Sequence, residues 1–129
     1  MRRERTTALV DRLVVDGRFQ KATADELMQR RNAVEALCAR GLVHPDEETR
    51  HLAAELLRDA ESTKAVPALI RALRDQSPHV RFDALSALCK TLKTDIGWWL
   101  DIEAYHNSPA EMHARVSEWW RRNRHYVWW

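Results

Sequence analysis

Residues 65–88 read AVPALIRALRDQSPHVRFDALSAL. Two apolar stripes stand on either side of a short polar turn. Val66, Leu69, Ile70 and Leu73 recur at the spacing of one helix face, and Val80, Ala84, Leu85 and Leu88 do so again after the turn. Between them Ser77 precedes Pro78. A serine oxygen accepts one of the first-turn N–H groups that have no partner inside a helix. Proline loses nothing at the next position, because its missing N–H would have been one of those orphans. The stretch reads as helix, tight turn, helix.

The same start signal recurs every 31 residues: Asp46 before Glu47-Glu48, Ser77 before Pro78, and Ser108 before Pro109. Residues 33–39 (AVEALCA) fall on 65–71 (AVPALIR), and 49–57 (TRHLAAELL) fall on 80–88 (VRFDALSAL). Ala53 and Ala84 share a slot where helices would approach closely, and Arg50 coincides with Arg81. A fixed period in this range marks a stacked helical repeat. No segment alternates with period two.

The fold expected is therefore all-α, a short right-handed α-solenoid of about seven helices with no strand and a divergent Trp-rich C-terminal helix. One domain spans 1–129: an N-terminal capping helix over about 4–16 that Gly17 stops, repeats over about 23–60, 63–94 and 95–125, and an aromatic tail, 126–129. The second helix would begin at Thr23 or Asp25 and run through Cys38 to Gly41. In the third unit Met112 replaces the arginine and Trp119 takes the place of Leu57 and Leu88. Terminal repeats depart from the pattern because one side meets solvent.

Composition narrows the function classes. The 129 residues are 45% hydrophobic and 31% charged with a net charge of +2, which gives no global electrostatic case for nucleic acid or an acidic membrane. Cys38 and Cys89 lack CxxC spacing and each lies beside a stripe leucine, so both read as buried reduced thiols. No apolar run approaches the roughly 20 residues of a membrane span, and no signal peptide precedes the first helix, so a cytoplasmic location is the default. There is no Gly-rich phosphate loop, no Gly-x-Ser-x-Gly elbow and no apolar-flanked carboxylate pair. The six histidines form neither HxxxH nor HExxH, and the closest helix-mates, His106 and His113, lie two turns apart across Pro109. Glu47 and Glu48 complement a helix dipole. No enzyme activity, catalytic residue, cofactor or metal is expected.

Residues 65–88 resemble a HEAT repeat of the short bacterial type, also called a bilin-lyase-like repeat. Pro67, Asp75 in the turn and Val80-Arg81 carry the resemblance; residues 33–57 are similar, with Glu35 in place of the proline and one extra residue in the turn. The segment 95–122 is similar only to the divergent last unit of such proteins. The resemblance implies that Arg50 and Arg81 are structural, each reaching a carboxylate or carbonyl in a neighbouring turn, with Asp75 the partner of Arg81. Asp46, Ser77, Ser108, Pro67, Pro78 and Pro109 are structural in the same sense.

Tryptophan is the anomaly. All six lie in the last 32 residues, at 98, 99, 119, 120, 128 and 129, with Tyr105 and Tyr126 among them. Trp98 and Trp119 would plug the open end of the core. Trp99, Trp120, Arg121, Arg124, Tyr126, Trp128 and Trp129 are the candidate partner-binding residues, since tryptophan is enriched at binding hot spots and the last two follow a polar, basic run. The function expected is a non-catalytic protein–protein interaction module, an accessory or adaptor subunit whose partner is another protein. The alternatives are nucleic-acid binding through the basic, aromatic C-terminal segment, which mixes cations with stacking platforms, and a chromophore-handling role that rests on the repeat's other name alone. The terminal tryptophans could equally pack on their own repeats or meet a membrane surface.

Overall fold

A computed structural model describes residues 5–92 and 109–124 of the chain. The two long helices of the stacked repeats start at side-chain caps. Asp46, in extended backbone, accepts the Thr49 N–H at 3.2 Å and the Thr49 hydroxyl at 2.9 Å, and a helix of 14 residues, Glu47–Ala60, begins at the next position. Ser77 likewise accepts the Val80 N–H at 3.4 Å ahead of the helix Pro78–Leu92. Glu61 closes the first of these in the left-handed region, φ 50°, with its N–H on the Leu57 carbonyl.

In chain order the α-helices are α1 (Thr6–Asp11), α2 (Lys21–Met28), α3 (Ala33–Ala36), α4 (Glu47–Ala60), α5 (Val66–Ala72), α6 (Pro78–Leu92) and α7 (Pro109–Asn123). A π-turn, Leu37–Gly41, extends α3, and a 3₁₀ turn, Thr63–Ala65, leads into α5. Helix α3 with its π-turn pairs with α4, α5 pairs with α6, and α4 lies along α6, so the two repeats stack. One continuous core runs through both. Leu37, Leu57, Leu69, Leu73, Leu88 and Leu92 are fully buried in it. Each such side chain contributes about 1.5–3 kcal/mol relative to an exposed one. The chain is an all-α, HEAT-like stack.

Gly41 shows how tightly the layers meet. The π-turn brings its backbone against α4, where an added Cβ would stand 2.7 Å from the Ala53 Cβ. Small residues at 41 and 53 permit this approach.

The N-terminal region departs from the sequence expectation. The first helix ends at Asp11, and residues 14–19 form a two-stranded antiparallel hairpin, β1 (Val14–Val15) and β2 (Arg18–Phe19), with Val14 opposite Phe19. The expected helix over 4–16 and the expected absence of strands are both corrected. Asp16 and Gly17 have φ of 52° and 76°, the positive values a two-residue hairpin turn demands, so Gly17 turns a hairpin rather than stopping a helix.

Nor is the second helix continuous. It begins at Lys21, ahead of Thr23 and Asp25, and breaks over Gln29–Asn32 before α3. No proline or glycine causes the break. A tertiary bond accompanies it: the Thr6 hydroxyl on α1 donates to Asn32 Oδ1 at 2.8 Å, and Arg30 Nη1 approaches the Thr6 oxygen at 3.4 Å.

Candidate partner-binding surfaces

The turns are tied by arginines, and this spine fixes the surfaces around them. Arg50 Nη1 donates to the His44 and Pro45 carbonyls at 2.9 and 3.1 Å, while Nε and Nη2 reach Oδ2 and Oδ1 of Asp75 in the next repeat at 3.0 and 3.3 Å. Arg81 Nη1 donates to the Asp75 carbonyl at 2.8 Å. Each arginine thus reaches six residues back to a carbonyl of its own turn. Asp75 is thus the partner of Arg81, as the resemblance implied, through its carbonyl, while its carboxylate is held by Arg50 of the preceding repeat. The reason is direction: α4 precedes the second turn in the stack, so its arginine leans onto that turn from the neighbouring layer. Asp75 Oδ1 also accepts the Ser77 N–H at 2.9 Å, and the Ser77 hydroxyl bonds Glu47 across the repeat boundary. Pro67 is the second residue of α5, Pro78 opens α6 and Pro109 opens α7, all first-turn places where proline fits.

Three surfaces result. Along the turn edge a cleft of about 510 Å³ is lined by Cys38, Val43, His44, Arg50, Arg71 and Arg74 among others. Burial pushes the Cys38 thiol upward, and the Arg71 charge partly opposes this.

On the α4–α6 side His51, Glu55 and Asp83 come together. His51 Nδ1 bonds the Asp83 carboxylate, and Nε2 lies 3.3 Å from Glu55 Oε1. Burial depresses the His51 imidazole's affinity for a proton, but the hydrogen bond and charge of Asp83, with Glu55 and Glu48, outweigh it and raise the pKa. A cleft of about 300 Å³, lined by Glu47, Glu48, His51 and His79, opens beside this group. Reading along the chain missed the cluster, because His51 and Asp83 are 32 residues apart. Comparing the repeats position by position would have found it: Asp83 occupies the slot of Leu52, and His51 the slot of Phe82.

The third surface belongs to α7. It packs on α5, with Val116 fully buried and Trp119 and Trp120 half-buried against the core. Burial and the nearby Arg74 charge hold His113 below its ordinary pKa on this side. Helix α7 thus meets the first helix of the preceding pair. Apolar surface decides this, because Val116, Trp119 and Trp120 recur at helical spacing and seek the flank where α5 offers core residues.

A groove of about 600 Å³ runs along α7, lined by Ala114 and Trp119 with Glu111, Arg115, Glu118, Arg122 and Asn123. Glu118 accepts from Arg121 Nη2 at 2.7 Å and Arg122 Nε at 2.9 Å, and Arg115 donates to Glu111 at 2.7 Å. The Arg121 hydrogen bond is the main cause that holds the Glu118 carboxyl below its usual value. Arg124 is exposed just past the helix. Trp99, Ser108, Tyr126, Trp128 and Trp129, with Trp98, lie outside the described residues.

Among the described residues no helix is long and apolar enough to cross a membrane. Comparison with curated proteins and with solved structures yields no match. The family model described as HEAT repeats matches residues 34–95. This match, over the same two helix pairs that stack in the structure, supports reading the chain as a HEAT-repeat protein.

Proposed function

We propose that the chain is a non-catalytic protein-binding module, an accessory or adaptor subunit of a larger assembly, and that it engages its partner through α7 and the aromatic segment 126–129. HEAT repeats commonly mediate protein–protein interaction, and the match over 34–95 supports that class of role. The observation that carries the α7 reading is its groove. It is lined by the apolar Ala114 and Trp119 together with the charged Glu111, Arg115, Glu118 and Arg122. Specific protein interfaces combine apolar and charged groups in this way. Trp120, which packs against the core, and Arg121 are on the same helix, Arg124 is exposed just past it, and Tyr126, Trp128 and Trp129 follow in the sequence. The nucleic-acid alternative is disfavoured because Arg121 and Arg122 already share the Glu118 carboxylate.

The test is affinity capture with chemical cross-linking from the native host, run on the wild-type chain, on Ala114→Arg and on a form lacking 126–129. Ala114 is exposed on a helix and tolerates arginine. Ala114→Arg should remain folded and lose a partner that the wild type captures. A partner retained in full by both variants would refute the α7 surface.

A further inference from the structure

Asp83 is a carboxylate where the fold requires none. Its counterpart in the preceding repeat is Leu52, and the two are equally buried, each 7% exposed. An isolated carboxylate at that depth costs several kcal/mol unless it is paired. What pairs it is His51, which stands where the next repeat has Phe82, and beyond His51 is Glu55, which stands where that repeat has Ser86. All three positions differ between the aligned repeats, and the stacking of α4 on α6 brings the three together. One ligand atom from each lies within 4.8 Å of the others. The adjoining cleft of about 300 Å³ gives access from solvent, with Glu48 and His79 on its walls.

We propose that His51, Glu55 and Asp83 form a binding site for one divalent first-row transition-metal ion that clamps α4 to α6. The ligand chemistry fits: a neutral imidazole suits ions of the zinc, iron and nickel type, and two carboxylates balance the ion's two positive charges. Nitrogen and oxygen ligands sit about 2.0–2.2 Å from such an ion. The ion therefore replaces the direct His51–Asp83 bond, the two side chains parting to admit it. Water from the cleft completes the coordination. Glu55 lies one helical turn from His51 on the same face of α4, so two of the three ligands are held by one rigid element.

The site is tested on the full chain stripped with a chelator, by calorimetric titration with Zn²⁺ and by thermal melting with and without Zn²⁺. One ion per chain should bind and the melting temperature should rise. Asp83→Leu installs the residue of the sister repeat and should stay helical by circular dichroism, His51→Phe leaves the Asp83 carboxylate without its partner and should be less stable, and each should lose affinity at least about tenfold. His113→Ala should bind as the wild type does. No saturable binding by the wild type, or equal affinity in Asp83→Leu, His51→Phe and wild type, would overturn the proposal. Should both variants unfold, Co²⁺ added to the wild-type chain decides the matter: paramagnetic broadening centred on the His51 ring resonances supports the site, and broadening centred on another histidine contradicts it.

Discussion

Arg50 and Asp75 stand 25 residues apart in the chain and meet side-on, two guanidinium nitrogens on two carboxylate oxygens, with both side chains about nine-tenths buried. This pair joins the first helix pair to the second at the level of their turns. Its remaining hydrogen-bond capacity is also used: Arg50 bonds two carbonyls and Asp75 accepts a backbone N–H. A desolvated pair satisfied this fully loses most when one partner is removed.

Arg50→Ala should therefore destabilise the fold by about 3–5 kcal/mol, since it strands a buried carboxylate and two carbonyls. Arg81→Ala gives up one bond to a carbonyl, from a side chain that is less buried, and should cost about 1–3 kcal/mol. Urea denaturation of the two variants checks the order. Equal effects would mean that Asp75 is not the node the geometry describes.

Gly41→Ala places a methyl group 2.7 Å from the Ala53 Cβ, an atom fixed to the backbone of α4. The helix must shift, and overpacking of this kind costs about 1–3 kcal/mol. Alanine's better helix propensity offsets at most about 1 kcal/mol of that. Thermal melting of Gly41→Ala should show a net loss of stability, and the Gly41→Ala/Ala53→Gly double variant should recover part of it.

Asp11 at the end of α1 accepts Arg40 Nε at 2.7 Å and His44 Nε2 at 3.1 Å, and the Arg40 bond is the main cause that holds its carboxyl below the usual value. A carboxyl whose folded pKa is depressed stabilises the fold above its unfolded pKa and loses that contribution as pH falls through the folded value. Asp11 and Arg40 are nearly half exposed, so the effect is at most about 1 kcal/mol. Asp11→Asn should be less stable than wild type at pH 7, and the gap should close as the pH falls through the lowered pKa of the folded Asp11 carboxyl.

Much of this fold is local and therefore legible along the chain. Asp46 and Ser77 cap their helices with their own side chains, and the apolar stripes of α4 and α6 follow at once. What escaped is set by contacts distant in sequence, with one exception. Val15-Asp16-Gly17-Arg18 is a local hairpin signal that a helical reading of about residues 4–16 overrode. The break before α3 accompanies the Thr6–Asn32 bond, the turn of α7 toward α5 reflects where core surface is available, and the His51–Asp83 pair forms only when two repeats stack. The candidate partner residues on α7 were legible as an aromatic cluster. The groove beside them was not, because its shape depends on which face α7 buries.

Cys38 and Cys89 are free and half-buried, and burial raises both thiol pKa values. The reactive species is the thiolate, so both should react slowly with a disulfide reagent at neutral pH in the native protein and at least about tenfold faster in urea. Rapid labelling of either thiol under native conditions would contradict this packing.

Cross-linking mass spectrometry of the tagged protein isolated from its host is the decisive measurement for the proposed docking of a protein partner on α7 and residues 126–129. A hot-spot tryptophan carries about 2 kcal/mol or more, roughly thirty-fold in affinity. One reproducible partner is expected, with cross-links on α7 and the segment after it, and with affinity lost in the form lacking 126–129 while its melting temperature is unchanged. A chain that stays uncross-linked, or a truncated form that melts early yet binds its partner as the intact chain does, would contradict it.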